Sequence, residues 1–593
     1  MSAGRDCDNS EMGNLLLVVP PNLKERDFFK PPPNVKVMVT GEKEYGSVIT
    51  DMPLGVISLA AYIKAHTRFD VRVLDFNVEL HKATSMGGAT FRQFFEVGLS
   101  NVTFDNGAGP DVVGLSTLFS TAYLNTIELA DLSKKLFPEA LLLAGGNVPT
   151  VSYKELFRDT DKIDAVCYGE GDKPLLALLQ SSDMWSHIND HSSNWIKRSD
   201  RNKPKTDFQH DFIWDLDEVP FDYSVIDEED YQINPTINYY TGIKEKGKSF
   251  NIMTSRGCPY MCIFCASHAT HGRSMRYESL ERVKSNISEL KEKHDVKVIT
   301  FEDDHFMGDQ KRALEIVRFV GDIGLTAFFP NSLALYALNR KMLEALKAAG
   351  VDQLILAVES GSSRVLNKVM KKPLKLDIID KVIENCADLG IYTDCNIVTG
   401  LPGETKEDIN DTCDYLRALN ANWFRINIAT PLLGSEMNEI CKEKGYFKGD
   451  VVDSNYKKGI IETDDWSVEF IQQKTYEMNL DLNFAHNPDM RQGRWDIALR
   501  GFKNALAAKS DHAFAHYFSS ICYEKMGEAE NSVESRNKAM KIVAEDSFWA
   551  NHAEMFALDL HTAPDSISLT ELEPGTNVHP VTSGSGRPNW HVG

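Results

Sequence analysis

The sequence has no apolar run long enough to cross a membrane. Its first hydrophobic stretch, Leu15 to Val19, has the length of a strand, whereas a spanning helix takes about 20 apolar residues. The polar opening MSAGRDCDNSEMGN lacks the charged-then-apolar order of a secretory signal. Cysteine is scarce, 10 in 593 residues. Three of the ten sit together and the rest are scattered among apolar segments, which argues against a disulfide framework and for a reducing, cytoplasmic compartment. Positive charge is also in deficit: a formal net charge of −22 argues against a broad nucleic-acid surface. No Gly-rich turn follows the first strand, which runs into Pro20-Pro21-Asn22, so a dinucleotide site has little support there.

What is present is α/β patterning over a length that calls for about three or four folding units. Residues 12–180 form the first. Apolar strands are expected at 15–19, 71–74, 111–116, 140–146 and 164–169, with helices at 54–66 and 121–137 between them. Strands without polar alternation, separated by helix-length segments, imply a parallel sheet covered on both faces. Such sheets bind ligands beyond the carboxyl ends of their strands. Residues 181–245 lose the rhythm and read as a connector that packs on its neighbours, given Trp185, Trp195, Trp214 and Tyr239.

A second series spans 246–450, with strands at 251–255, 296–302, 325–329, 353–359, 394–400 and 424–430 and helices at 279–294 and 376–390. Six strand–helix units fit a partial barrel better than another open sheet, with functional residues at the carboxyl ends of the strands. Residues 465–575 read as helical. Gly493 and Gly527 are offset by 34 residues, as are Ala505 and Ala539. That is the tetratricopeptide period, but too few units are visible for a solenoid and a packed helical cap is expected. The closing twenty or so residues, rich in Ser, Thr, Pro and Gly, read as a loose tail.

The strongest local signal is TSRGCPYMCIFC at 254–265, where Cys258, Cys262 and Cys265 follow a predicted strand. Three thiolates with no local fourth can hold an iron–sulfur cluster with one open iron; His268 or His271 would instead complete a zinc knuckle. The triplet resembles that of the radical S-adenosylmethionine superfamily. The resemblance implies a [4Fe–4S] cluster on these three cysteines, S-adenosylmethionine on the open iron, and an external electron donor of flavodoxin or ferredoxin type. It sets Phe264 beside adenine. It makes Glu302 and Asp303, in Phe301-Glu302-Asp303-Asp304, candidates to hold the amino group. Glu359 and Ser360 would approach the ribose and methionyl carboxylate, and Asn396 to Glu404, with Gly400, would line adenine.

The first unit is similar to the cobalamin-binding domain of one branch of that superfamily, the branch of the anaerobic magnesium-protoporphyrin ester cyclase and many methyltransferases. Ser116-Thr117-Leu118, Gly145-Gly146 and Gly169-Glu170-Gly171 carry the likeness, together with MPLGVISLAAYI at 52–63. The resemblance implies that Ser116 bonds the nucleotide base and that the glycine pair leaves room for the nucleotide tail. It departs from the methionine-synthase type, whose histidine ligand has no counterpart in PPNLKERDFF, so the lower face of cobalt is left open.

The tandem arrangement implies hydrogen abstraction by a 5′-deoxyadenosyl radical and methyl donation from methylcobalamin. Cyclisation and ring rearrangement use the same layout. A methylthiotransferase would need a further cysteine set in the first unit. A tetratricopeptide-type scaffold with a vestigial core is the non-enzyme alternative. His486, His512, His516, Tyr446 and Trp466 receive no catalytic role, and the substrate is not legible.

Overall fold

The computed structural model describes residues 13–31, 37–40, 43–48, 50–83, 89–191, 193–232, 248–451 and 458–560. Tyr239, the closing tail and the last part of the expected 465–575 unit lie outside them.

The first unit is a six-stranded sheet. Its spatial order is Asp70–Asp75, Asn14–Val19, Val112–Ser116, Leu141–Gly145, Ala165–Cys167 and Trp195–Lys197. The first five strands are parallel and the last is antiparallel. Alternate residues of the first strand enter different cores: Leu16 and Val18 pack on one face, Leu15 and Leu17 on the other. Each such side chain contributes about 1.5–3 kcal/mol when buried, which is why the strand reads as an unbroken apolar run. The order reverses between Asn14–Val19 and Val112–Ser116. Beyond their carboxyl ends lies the crevice where an open α/β sheet takes its ligand.

Two features depart from the sequence reading. Residues 37–40 and 43–46 form an antiparallel hairpin. The segment read as a connector supplies the antiparallel edge strand, with Trp195 at 1% exposure. Trp195-Ile196-Lys197 is too short to show a period.

The second unit has six parallel strands in chain order. Lys248–Ile252, Val296–Phe301 and Thr326–Phe328 form one three-stranded sheet, and Gln353–Glu359, Tyr392–Thr399 and Trp423–Ile428 the other. A parallel bridge between Leu333 and Leu356 links them. Phe250, Ile299, Leu356, Ile397 and Ile426 join the helices in one apolar core. The outer edge of Trp423–Ile428 is closed by a side chain. The Phe424 amide donates to Asn483 Oδ1 at 2.9 Å, and Asn483 Nδ2 donates back to the Phe424 carbonyl at 2.7 Å. Covering the edge at Phe424 blunts its pairing with another chain.

The last described residues are helical: Val468–Leu480, Trp495–Ala508, Ala513–Lys525, Ala529–Glu545 and Ser547–Met555. Gly493 and Gly527, with φ of +69° and +80°, precede Trp495 and Ala529 at the repeat offset. Among the described residues no helix is long and apolar enough to cross a membrane.

Candidate functional site

A cavity of about 910 Å³ opens where the carboxyl end of the first sheet faces that of the second unit. Ser116, Leu118, Gly145, Gly146, Gly169 and Glu170 line it from one side; Phe264, Cys265, Glu302 and Asp304 line it from the other. Two motif sets remote in sequence therefore share one chamber. Leu118 and Phe119 stand 61% and 53% exposed there, an apolar surface that a bulky ligand would cover. The helices Leu54–His66, Asn147–Asp159 and Asp172–Leu179 all begin at the cavity wall, and the positive ends of their dipoles suit an anionic group. The residues present thus fit a large ligand with both an apolar body and a phosphate.

The glycines serve different ends. Gly146 has φ +92°, and a Cβ there would lie 2.8 Å from the Thr117 carbonyl oxygen. A Cβ on Gly169 (φ +81°) would lie 2.1 Å from His210 Nδ1. Gly146 and Gly169 are thus required by the chain's own close approaches, to the Thr117 backbone and the His210 ring. A Cβ on Gly145 meets only Cys167 Cβ, at 3.9 Å. Gly146→Ala is therefore expected to cost about 1–3 kcal/mol of stability. Gly145→Ala should unfold normally yet lower cobalamin affinity; denaturation curves with cobalt counting separate the two.

The three candidate cluster ligands sit on one loop, 257–275, whose neck is a two-residue antiparallel hairpin pairing Ser255 with Tyr277 and Arg256 with Arg276. Cys258, Cys262 and Cys265 are half-buried and unpaired. Burial pushes the Cys262 thiol up to about 11, with nearby Lys372 drawing it the other way. Among the described residues no three His, Cys, Asp or Glu side chains are already gathered to hold a single metal ion. His271 Nδ1 is bonded instead to Glu170 Oε1 at 2.8 Å. The donor set, three thiols on one loop with no fourth cysteine among the loop residues, is that of a cluster with one open iron.

At the end of Val296–Phe301 the acidic run divides. Glu302 faces the cavity, held by Asn251 Nδ2 at 2.8 Å and Asn331 Nδ2 at 3.2 Å. Burial, with Asp51 nearby, raises its carboxyl to about 7. Asp304 also lines the cavity and accepts the Gly257 amide at 3.2 Å. Asp303 turns the other way, 3% exposed, accepting from Thr254 and Ser255 hydroxyls at 2.8 and 2.5 Å. Its geometry is that of a brace for the strand leading into the cysteine loop. Asp304 is the residue that sequence reasoning missed; side-chain alternation along an extended chain was the available signal. Glu278 was missed too: it lines the cavity, raised by burial to about 7, and belongs to no motif.

Of the three cysteines Cys265 alone is in this lining, and Cys258, Cys262 and the remaining sequence candidates lie outside it. Glu359, at φ +67°, receives Lys372 Nζ at 2.9 Å. Ser360 is fully buried and shares a hydrogen bond with Thr412 Oγ1 at 2.9 Å, which builds the turn. Asn396 is half-buried on its strand. Gly400 does not leave space for a ligand: a Cβ there would meet Ile471 of the helix Val468–Leu480 at 2.8 Å. Trp466 is buried against the same turn and donates to the Glu404 carbonyl at 2.9 Å, while Tyr446 donates to Asp464 at 3.0 Å. The tail histidines are satisfied locally: His486 by Asp481, His512 as the cap of its helix, and His516 by the Ser510 carbonyl.

Glu170 has a larger role than its motif suggests. At 3% side-chain exposure it meets Arg256 at 3.1 Å, Arg276 at 2.6 Å and His271 at 2.8 Å. Burial alone would raise its carboxyl. The bonds from Arg276 and His271 and the Arg256 charge outweigh that and hold it well below the usual carboxylate range.

Comparison with known proteins agrees with this division. Residues 252–416 match the radical SAM superfamily and residues 50–179 the B12 binding domain. The cytidylyl-2-hydroxyethylphosphonate methyltransferase of Streptomyces wedmorensis is 27% identical over 73% of this chain and 86% of its own. The anaerobic magnesium-protoporphyrin IX monomethyl ester cyclase of Rubrivivax gelatinosus is 25% identical over 53% of this chain and 56% of its own. In fold, the chain is similar to the cobalamin-dependent S-adenosylmethionine radical enzyme OxsB, solved with aqua-cobalamin and S-adenosylmethionine. That likeness has a TM-score of 0.57 at 15% identity over 92% of this chain and 80% of the other. The chain thus carries, around one cavity, a B12 binding domain followed by a radical SAM domain, the pair that marks the cobalamin-dependent radical S-adenosylmethionine superfamily.

Proposed function

We propose that the protein is a methyltransferase that uses a [4Fe–4S] cluster, S-adenosylmethionine and cobalamin together. The observation that carries this reading is the single cavity shared by the first sheet's carboxyl ends and the cysteine loop. When bound, the cluster supplies the electron that splits S-adenosylmethionine, and cobalamin supplies a transferable methyl group. The protein's part is to hold these groups close and dry.

In this reading residues 12–180, with the edge strand Trp195–Lys197 added to their sheet, bind cobalamin, and the rest of 181–245 connects the units. The strands from Lys248 to Ile428 form the radical domain's partial six-stranded barrel, and the described helices from Val468 to Met555 form a tetratricopeptide-like helical cap over it. Cys258, Cys262 and Cys265 hold the cluster. Phe264 lies beside adenine, and Glu302 with Asp304 takes the amino group. Ser116, Leu118 and Gly145 receive the cobalamin tail. Glu359, Ser360 and Gly400 then act by shaping turns behind the site, with Asn396 on the strand Tyr392–Thr399 between them. Asp303 braces the strand before the cysteines, and Glu170, Gly146 and Gly169 shape the first unit's loops. The nine described cysteines are all unpaired, which supports a reducing, cytoplasmic setting; in this reading the cluster's electron comes from an external one-electron donor.

Glu302 offers a titratable check. Its folded-state value of about 7 lies above the usual carboxylate value of about 4.3. The associated stability is therefore full below the unfolded value and is lost as pH rises through about 7. An arriving ammonium favours the ionised form, so S-adenosylmethionine binding near pH 6 is expected to release a proton. Glu302→Gln is expected to weaken that binding by roughly 10-fold or more, the worth of a charge-assisted bond. Calorimetry in two buffers of different ionisation enthalpy measures both.

The reaction itself is tested with methyl-deuterated S-adenosylmethionine, a one-electron reductant and a substrate panel. Deuterated methyl in the product, with S-adenosylhomocysteine and 5′-deoxyadenosine formed, supports methyl transfer. Turnover that yields 5′-deoxyadenosine and an unlabelled, ring-closed product would support the cyclase reading, for which the similarity to the Rubrivivax gelatinosus protein speaks.

A further inference from the structure

The loop bearing the three cysteines is tied at its neck to the other cofactor's domain. Arg256 and Arg276 are cross-strand partners at the base of the 257–275 loop, and both end on one carboxylate, Glu170, which lies 86 and 106 residues earlier. Arg276 gives Glu170 two hydrogen bonds, at 2.6 and 2.8 Å. Its remaining contacts are the Ile213 and His271 carbonyls and the face of Phe212, 4.1 Å away. Arg256 reaches Glu170 and Asp172 at 3.1 and 3.2 Å and Ser58 Oγ at 2.7 Å. Ser58 in turn donates to Asp172 Oδ1 at 3.0 Å.

This cluster has two faces. Ser58, Gly169, Glu170, Gly171 and Asp172 are also wall residues of the cavity at the end of the first sheet. Arg256 stands two positions before Cys258. The side chains are nearly water-free, at 10, 1, 3 and 8% exposure for Arg256, Arg276, Glu170 and Asp172. Buried charges of this kind tolerate little displacement, because moving one partner leaves another desolvated and unpaired. A shift of the Gly-Glu-Gly turn must therefore be answered by the neck of the cysteine loop, and the reverse.

We propose that Glu170, through Arg256 and Arg276, is a positioning residue that couples the two cofactor sites, so that filling the cluster loop tightens the cobalamin pocket and filling the pocket tightens the loop. The inference rests on the cofactor assignments above. Coupling between binding sites is reciprocal by thermodynamic necessity, and typical values run from about 5- to 150-fold.

The test is equilibrium dialysis of the full chain against hydroxocobalamin, with cobalt counted, in cluster-free and cluster-reconstituted protein. The wild type is expected to bind cobalamin at least about 5-fold more tightly when the cluster is present. In Glu170→Gln that ratio should fall to about one. In Lys82→Ala, which removes only the surface pair with Asp230, it should persist. A variant that is merely less stable would not lose the ratio selectively. Should Glu170→Gln fail to fold, Arg256→Lys takes its place, keeping the charge but losing the fork that reaches three partners. A wild-type ratio of one, or a wild-type ratio retained in the folded neck variant, overturns the coupling. Failure of both forms to retain cobalt overturns the cobalamin assignment and the coupling with it.

Discussion

Cys262→Ala is expected to abolish reductive cleavage of S-adenosylmethionine while leaving the fold intact. Cys262 is half-buried on a loop whose neck is fixed by the Arg256–Arg276 hairpin. Its removal takes away a proposed ligand without opening a large cavity in an apolar core. Loss of an outer-shell partner alone costs a metal site about 10–100-fold, and loss of a direct ligand costs more. Anaerobically reconstituted Cys262→Ala should therefore hold far less iron than the wild type and form 5′-deoxyadenosine at background rate. Its unfolding midpoint without cluster should match that of cluster-free wild type. Normal 5′-deoxyadenosine formation by the variant would remove the cysteine loop from the chemistry and revive the scaffold alternative.

Glu170→Ala should be the most damaging single substitution for stability outside the apolar cores. It leaves Arg276, at 1% side-chain exposure, without its carboxylate, and Arg256 with Asp172 as its one remaining acid among the described pairs. Breaking a buried pair by deleting one partner costs about 3–5 kcal/mol, a large part of a domain's net stability of about 5–15 kcal/mol. Denaturant unfolding at neutral pH measures it. Because the folded-state carboxyl is held below its unfolded value, the contribution is present above about pH 4.3. It is lost as pH falls through the depressed folded value. Wild-type and Glu170→Ala stabilities should therefore converge in strong acid.

Strands such as Asn14–Val19 and Leu141–Gly145 were legible because both of their faces are covered, so nearly every position is apolar. Gln353–Glu359 and the helix Leu54–His66 fall where the residues put them. The elements that escaped are those too short to carry a period. These are the edge strand Trp195–Lys197, the hairpin around residues 37–46 and the two-residue neck at Arg256 and Arg276. Motifs identified the segments around the cavity but not which side chain in each segment faces it. Glu302 and Asp304 turn inward while Asp303 turns away. Gly400 is explained by Ile471, a residue of the helical tail. The bonds of Glu170 to Arg256 and Arg276 span the whole connector, 86 and 106 residues of chain, a distance no local pattern can report.

The central claim is that one chain holds both cofactors at one cavity, and metal content tests it most directly. The protein is to be purified without oxygen, reconstituted with iron, sulfide and hydroxocobalamin, freed of excess, and its cobalt and iron counted. The account predicts about one cobalt and about four irons per chain. Four irons with no retained cobalt would contradict it, leaving a radical enzyme whose first sheet serves another ligand.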